Sequence, residues 1–244
     1  MVRLKIGEAV ASSERPLIAA PITASTWQQV LQEADILSHS AIDVVEWRID
    51  YLTRLNELTV DHIRQVRQTV MKPVIFTWRT LAEGGNKQYH ADMYERIYLN
   101  ALAAGVVALD IEIDLLKDQK ALLKQVPTNV QIIGSKHYFD RTPHNLVQAL
   151  NNMLMLPTDI VKLAVMPQST SDVDYLLVST KQVANDAAKP LITMAMGEMG
   201  MPSRILGYQF GSQLTFATVT GSSAPGQVTV SALLQKWGSN HDVQ

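Results

Sequence analysis

Short apolar segments rich in β-branched residues recur along the chain, and helical patterns lie between them. The segments begin 23 to 32 residues apart, which is the length of one strand plus one crossover helix. They read LIAAPI from Leu17, VVEWRID from Val44, VIFTWRT from Val74, VVALDIEI from Val106, VQIIGSKHY from Val130, IVKLAV from Ile160, LITMAM from Leu191 and LTFATVT from Leu214.

Eight alternations of strand and helix predict an α/β fold, a closed (β/α)8 TIM barrel of parallel strands. An open doubly wound sheet is the alternative, but nearly uniform units favour closure. Three helix boundaries follow from capping chemistry: Thr142 before Pro143 predicts the start of the fifth helix, Ser25 predicts the start of the first, and Gly105 predicts the end of the third.

The first 14 residues precede the first unit, and VRLKI followed by EAVA predicts a β-hairpin that closes the floor of the barrel. No linker or low-complexity tract divides the chain, so residues 1–244 are predicted to form a single domain.

Composition narrows the classes of partner. The chain is 47% hydrophobic and 18% charged, as in ordinary globular proteins, and its net charge of −2 gives no electrostatic reason to bind nucleic acid or an anionic membrane. Absence of cysteine excludes disulfides and thiolate metal sites. Without a signal-peptide core or an apolar run of about 20 residues, the sequence predicts a cytoplasmic protein with a small-molecule partner.

Charged side chains stand near the ends of several predicted strands, although both faces of a barrel strand are covered. Arg48, Arg79, His137 and Lys162 can meet at the carboxyl-terminal mouth of the barrel, where enzymes of this fold do their chemistry. Side-chain alternation turns Lys136 away from His137 and makes it a weaker candidate.

Acidic residues on the strands admit two interpretations. Glu46 and Asp50 share a face with Arg48 by alternation, so they either belong to a polar site or neutralise the cations as a structural network. For Asp110, Glu112 and Asp114 in LDIEID, a structural or loop role is favoured over a catalytic one. A metal site is not predicted, because the histidines lack HxH or HExxH spacing and the mouth is cationic.

Lys162 lies within an apolar strand, where lysine is rarely buried without a partner or a purpose. An amine nucleophile must be uncharged, and we expect apolar neighbours Val161 and Leu163 and cations Arg48 and Arg79 to favour the neutral form. Such an amine attacks a ketone or aldehyde to form an imine, whose positive nitrogen acidifies the adjacent carbon.

Imine chemistry of this kind needs a proton carrier. His137, at the end of the preceding strand, suits that task at neutral pH, and Glu83 in the loop after the third strand could orient the imidazole. Taken singly, His137 and Lys162 could each be structural. The sequence GSSAPGQ at residues 221–227 is compatible with a phosphate site at a helix start or with an ordinary glycine turn.

Several ordered motifs resemble the type I 3-dehydroquinate dehydratases of the shikimate pathway over nearly the whole chain. The motifs are EWRID at 46–50, WRTLAEGG at 78–85, DIEID at 110–114, SKHYFDRTP at 135–143, VKLAV at 161–165, MAMGEMGMPSR at 194–204 and SSAPGQ at 222–227. One departure is hydrophobic: the lysine strand reads KLAV where KIA is expected.

The resemblance implies a homodimeric barrel enzyme, with neither cofactor nor metal, that converts 3-dehydroquinate to 3-dehydroshikimate. It implies that Lys162 forms the imine, that His137 is the general acid and base, and that Glu83 positions His137. It makes 221–227 a carboxylate and hydroxyl site. The implied substrate-binding residues are Glu46, Arg48, Arg79, Met194, Met196, Arg204, Ser223 and Gln227.

Two alternatives stay open at this point. A non-catalytic ligand-binding protein could use the same barrel, although loss of the lysine or histidine would be its usual sign and neither is lost. Another imine-forming barrel enzyme, such as an aldolase, would require the loop at 221–227 to bind a phosphate group.

Overall fold

The computed structural model describes residues 2–219 and 228–238, and its central feature is a sheet of eight parallel strands preceded by a two-stranded hairpin. The strands are β1 Lys5–Ile6, β2 Ala9–Val10, β3 Leu17–Ile22, β4 Val44–Arg48, β5 Val74–Thr77, β6 Ala108–Glu112, β7 Gln131–Tyr138, β8 Ile160–Val165, β9 Leu191–Ala195 and β10 Leu214–Phe216.

The parallel strands follow chain order from β3 to β9, and β10 pairs with β3. A parallel bridge between Leu191 and Ser212 brings the two ends of the sheet together, so the strands form a nearly closed barrel. The predicted barrel is therefore confirmed, and the open doubly wound sheet is wrong. That residues 1–244 form a single domain stays a prediction.

Helices follow the strands, as the crossover rule for parallel strands requires. They are α1 Trp27–Ser38, α2 Val60–Val70, α3 Ala91–Ala103, α4 Lys120–Leu123, α5 Leu146–Leu154, α6 Thr170–Ala184, α7 Met201–Leu206 and α8 Val230–Gly238. In the part of the chain with described coordinates, no helix has the length and apolar character needed to cross a membrane.

Two of the three predicted helix boundaries are wrong by a few residues. Thr26, rather than Ser25, caps α1 by accepting a hydrogen bond from the backbone N–H of Gln29. α5 begins at Leu146, because Thr142 donates its hydroxyl to the carbonyl of Met166 instead of capping a helix. The stop near Gly105 is confirmed by its left-handed φ of 80°.

The predicted hairpin is confirmed and lies under the barrel. β1 and β2 pair in antiparallel register, and Leu4 and Ile6 are fully buried against an apolar interior layer that includes Val44 and Ile75. The backbone N–H of Leu4 donates to Oε1 of Gln213 at 2.7 Å. An apolar floor of this kind leaves the polar interior residues at the opposite end of the barrel.

An aromatic cluster between the sheet and α3 holds two site-bearing strands together. Tyr94 and Tyr98 stack at 4.1 Å between ring centroids, and both are fully buried. The Tyr98 hydroxyl accepts from the backbone N–H of Trp78 at 3.0 Å and donates to the carbonyl of Asp110 at 2.7 Å. Because Trp78 bonds to this hydroxyl, β5 ends at Thr77 instead of continuing to Thr80 as predicted.

Candidate active site

Lys162 projects from β8 into the polar half of the barrel interior. Its Nζ donates to Oε1 of Glu46 and to Oδ2 of Asp110, both at 2.8 Å, and lies 4.8 Å from the centroid of the Phe216 ring. The residue is only 3% exposed. A buried ammonium group needs such partners, since an unpaired charge would be strongly destabilising.

The expected surroundings of this amine were wrong in two respects. Val161 and Leu163 face outward and pack with apolar residues of α5 and α6, so they do not frame the amine. The charged groups that Nζ contacts are carboxylates rather than arginines. A resting ammonium ion held in this way must release a proton before its nitrogen can attack a carbonyl.

Asp110 lies at the centre of the site, although its sequence pattern favoured a structural or loop role over a catalytic one. It is fully buried, and its Oδ1 accepts from Nη2 of Arg79 at 2.7 Å and from Oγ of Ser135 at 2.6 Å. Its other oxygen accepts from Lys162. The signal that could have identified it is the alternation in DIEID, which turns Asp110 and Glu112 to the same face as the inward residues of β6.

Arg79 connects three buried carboxylates. Besides Asp110, its Nη1 lies 3.1 Å from Oε1 of Glu112 and 3.5 Å from Oε2 of Glu83. Burial lowers the pKa of Arg79, but the surrounding carboxylates outweigh burial and raise it above its ordinary value. Arg79 is only 2% exposed, and its guanidinium nitrogens contact protein carboxylates. Its contact with substrate stays a prediction.

Arg48 lies at the rim of the barrel. Its Nε and Nη2 donate to the two oxygens of Asp50 at 2.8 and 2.9 Å, and its guanidinium lies over the ring of Tyr51. Asp50 belongs to a 3-10 turn after β4, so the alternation that placed it beside Arg48 does not apply to it. The structural interpretation of Asp50 is favoured, because it also accepts from the backbone and side chain of Asn86.

His137 and Glu83 meet as the sequence predicted. Oε2 of Glu83 lies 2.9 Å from Nδ1 of His137 and accepts the backbone N–H of the same residue at 3.0 Å. A proton placed on Nδ1 in this contact leaves the other ring nitrogen free to accept one. Burial, together with the cations Arg79 and Lys162, holds the pKa of His137 well below its ordinary value, so the imidazole is neutral.

The Glu83 carboxyl is itself perturbed. Burial and the neighbouring charge of Glu112 raise the pKa of Glu83 to about 7, against the opposing effect of Arg79 and Lys136. The Lys136 ammonium lies 3.1 Å from Oε1 of Glu83, although its strand position turns it away from His137. Nothing in the sequence pattern around Lys136 indicates this contact.

Arg204 differs from Arg48 and Arg79 in having no carboxylate partner among the described residues. It lies on α7, its Nε is buried without a hydrogen-bond partner, and no carboxylate pairs with it among residues 2–219 and 228–238. Burial lowers the pKa of Arg204. Met194 points into the barrel interior, and Met196 packs partly buried against the same apolar cluster.

Comparison with known proteins decides the family. The sequence profile of type I 3-dehydroquinase matches residues 18–242. The chain belongs to this family. A 3-dehydroquinate dehydratase from Listeria monocytogenes is 35% identical over 230 residues, covering 89% of this chain and 90% of that protein. Another from Clostridium kluyveri is 35% identical over 242 residues, covering 94% and 92%.

Solved structures of the type I 3-dehydroquinase family share the fold. The type I 3-dehydroquinate dehydratase from Clostridium difficile, solved with covalently modified comenic acid, has a TM-score of 0.89 at 30% identity and covers 100% of this chain and 99% of its own. The 3-dehydroquinate dehydratase from Geobacillus kaustophilus has a TM-score of 0.87 at 29% identity, with 100% and 98% covered. The chain is thus a member of an enzyme family of TIM barrels.

Two predicted substrate-binding residues of this type I 3-dehydroquinase family member, Ser223 and Gln227, lie outside the described residues. Within the described ranges, no group of three or more His, Asp or Glu side chains is arranged to hold a metal ion. The interior carboxylates of Glu46 and Asp110 instead pair with Lys162.

Proposed function

We propose that this chain is a 3-dehydroquinate dehydratase that converts 3-dehydroquinate to 3-dehydroshikimate through an imine on Lys162. The observation that carries the proposal is a buried amine and a neutral, carboxylate-bound histidine in one barrel interior, in a member of the type I 3-dehydroquinase family. Proteins named 3-dehydroquinate dehydratase at 35% identity over most of the chain support the choice of substrate.

Imine formation begins when Lys162 transfers a proton to a neighbouring carboxylate. Glu46 and Asp110 both lie 2.8 Å from Nζ, and Glu46 is the acceptor, because the pKa of Asp110, despite its burial, is held well below its ordinary value by Arg79 and Lys162. The neutral nitrogen attacks the ring ketone, and the resulting carbinolamine loses water to give a protonated imine. The positive imine nitrogen withdraws electrons from the adjacent C–H bond and makes that proton easier to remove.

His137 then moves the proton. Its neutral ring, oriented through Nδ1 by Glu83, takes the proton beside the imine at the other ring nitrogen. The imidazolium returns that proton to the departing hydroxyl, which leaves as water while the carbon–carbon double bond forms. Hydrolysis of the imine releases the conjugated ketone and restores Lys162, so one molecule of water is lost overall.

Substrate binding in this proposal uses the unpaired cation. Arg204 has a buried guanidinium nitrogen without a partner in the described part of the chain, and its planar fork suits a carboxylate. Met194 and Met196 contribute an apolar wall. Contacts from Glu46, Arg48 and Arg79 complete the predicted set, together with Ser223 and Gln227.

Borohydride reduction tests the covalent step. Protein mixed with 3-dehydroquinate and sodium borohydride should carry a substrate-derived adduct on Lys162, found by peptide mass spectrometry, while ultraviolet absorbance reports the conjugated product. Lys162→Met should abolish both signals, and Lys117→Met, at an exposed lysine, should keep both. Turnover without an adduct would refute the imine.

The assignment of the proton carrier has its own test. His137→Ala should still form the borohydride-trapped adduct, because the amine and its carboxylates are unchanged, but should dehydrate substrate at least about 100-fold more slowly, as expected for loss of a general base. A rate equal to that of the unaltered protein would show that another group moves the proton.

The cofactor-free cytoplasmic homodimer implied by the family resemblance is part of the same proposal. Sedimentation equilibrium of the purified chain measures its mass, and a particle of twice the 27.0 kDa chain mass is expected. A monomer with full activity would contradict the dimer and leave the chemistry unaffected.

A further inference from the structure

Lys136 is a cation that the proposed chemistry does not use, and it directly precedes His137 in the chain. Its side chain leaves β7 on the face opposite to His137, yet its Nζ reaches 3.1 Å from Oε1 of Glu83 and 2.6 Å from Oδ2 of Asp114. The Glu83 side chain is 2% exposed and the Asp114 side chain 67% exposed, so Lys136 joins a buried carboxylate to one at the surface.

The two oxygens of Glu83 have separate partners. Oε2 accepts from the backbone and ring of His137, and Oε1 faces Lys136. The other charged groups that face Glu83 are Arg79 in the loop after β5, whose Nη1 is 3.5 Å from Oε2, and Glu112 on β6, which repels it. Arg79 also pairs with Glu112 and with Asp110, so its charge is divided among three carboxylates.

We infer that Lys136 is a positioning residue that keeps Glu83 ionised against His137 and thereby sets the lower pH limit at which His137 can accept a proton. The inference rests on the proposed function. An ionised Glu83 accepts a proton-bearing Nδ1 and leaves the other nitrogen free. A protonated Glu83 would instead donate to Nδ1 and place the ring proton on the nitrogen that must act as base.

The pKa of Glu83 lies so close to neutral pH that the charge of Lys136 decides whether the Glu83 carboxyl is ionised at pH 7. The pKa of Glu83 stands at about 7 even though Lys136 lowers it, because burial and Glu112 act in the opposite direction. A cation at this distance typically lowers a carboxyl pKa by about 1–3 units. Since the Lys136 side chain is 20% exposed and shared with Asp114, we take the lower end, about 1 unit.

Dehydratase rates measured from pH 5.5 to 9.5 test the inference through Lys136→Met. The acidic limb of kcat/KM, which reports the substrate-free protein, should move up by about 1 pH unit, so that kcat/KM at pH 7 falls roughly five-fold and recovers at pH 9. Lys136→Arg retains the charge and should keep the original limb. Lys117→Met removes an exposed lysine charge that contacts none of these groups and is the matched control.

A second measurement does not depend on activity. Carbon-13 NMR of the Glu83 carboxyl in the substrate-free protein, assigned by its loss in Glu83→Gln, should titrate at higher pH in Lys136→Met or Lys136→Gln. Coincident titration midpoints, or a rate loss that is equal at every pH, would overturn the inference. A shifted midpoint in a protein without dehydratase activity would support the electrostatic role and refute the proposed function separately.

Discussion

Replacing Lys162 by methionine should destabilise the folded protein as well as inactivate it. The ammonium is 3% exposed and pairs with Glu46 and Asp110 at 2.8 Å. Asp110 keeps Arg79 as a second cation, whereas Glu46 keeps only the hydroxyl of Thr77 at 3.2 Å in the described part of the chain. The variant therefore leaves the buried carboxylate of Glu46 without a hydrogen-bonded cation, although the more distant charges of Arg48 and Arg79 still act on it.

The cost follows from that arrangement. Removing one partner of a buried ion pair typically destabilises a protein by about 3–5 kcal/mol, mostly through the charge left behind. Methionine preserves most of the packing of the lysine stem, and Asp110 retains Arg79, so we expect the lower end, about 3 kcal/mol. For a chain of this size that is roughly 6–12 °C in Tm.

Urea unfolding at pH 7, followed by circular dichroism, measures the effect in Lys162→Met, Glu46→Gln and the double variant. The double variant should recover at least about 1 kcal/mol over Lys162→Met, because it removes the unpaired charge. Lys117→Met is the control for loss of an exposed lysine. A Lys162→Met protein within about 0.5 kcal/mol of the unaltered protein, or costs that simply add, would refute the reasoning.

Two further predictions concern the loop and pair around the histidine. Gly85→Ala should cost more than about 3 kcal/mol and displace Glu83, because a Cβ there would lie 1.9 Å from the backbone oxygen of Arg79. Gly105→Ala should cost only about 1 kcal/mol in the same unfolding assay, because its Cβ would meet a flexible arginine end and the cost comes from its left-handed φ of 80°. The second is a pH dependence. The pKa of Glu83, raised from 4.5 to about 7, adds stability as pH falls through that window, whereas the lowered pKa of His137 removes stability below pH 6.5. The free energy of unfolding of Glu83→Gln should therefore fall more steeply between pH 6.5 and 4.5 than that of the unaltered protein, and parallel slopes would contradict this.

The ends of individual strands and helices show which boundaries the local sequence pattern can predict. β8 runs over Ile160–Val165 as predicted, since all of its residues except Lys162 are apolar and the whole strand is buried. β5 stops three residues early because Trp78 bonds to the hydroxyl of Tyr98, and no pattern near Trp78 in the sequence reveals that tyrosine. The start of α5 differs from the prediction for a similar reason, because Thr142 donates its hydroxyl to the carbonyl of Met166, 24 residues away in the chain.

By itself the sequence determined the repeating strand and helix units and the strands that carry Lys162 and His137, because spacing and side-chain alternation are local properties. Tertiary structure decided which charges meet. Glu46 lies 116 residues from Lys162 along the chain, and Asp110 lies 52 residues from it. Buried charges require partners, and only closure of the barrel brings those partners within reach.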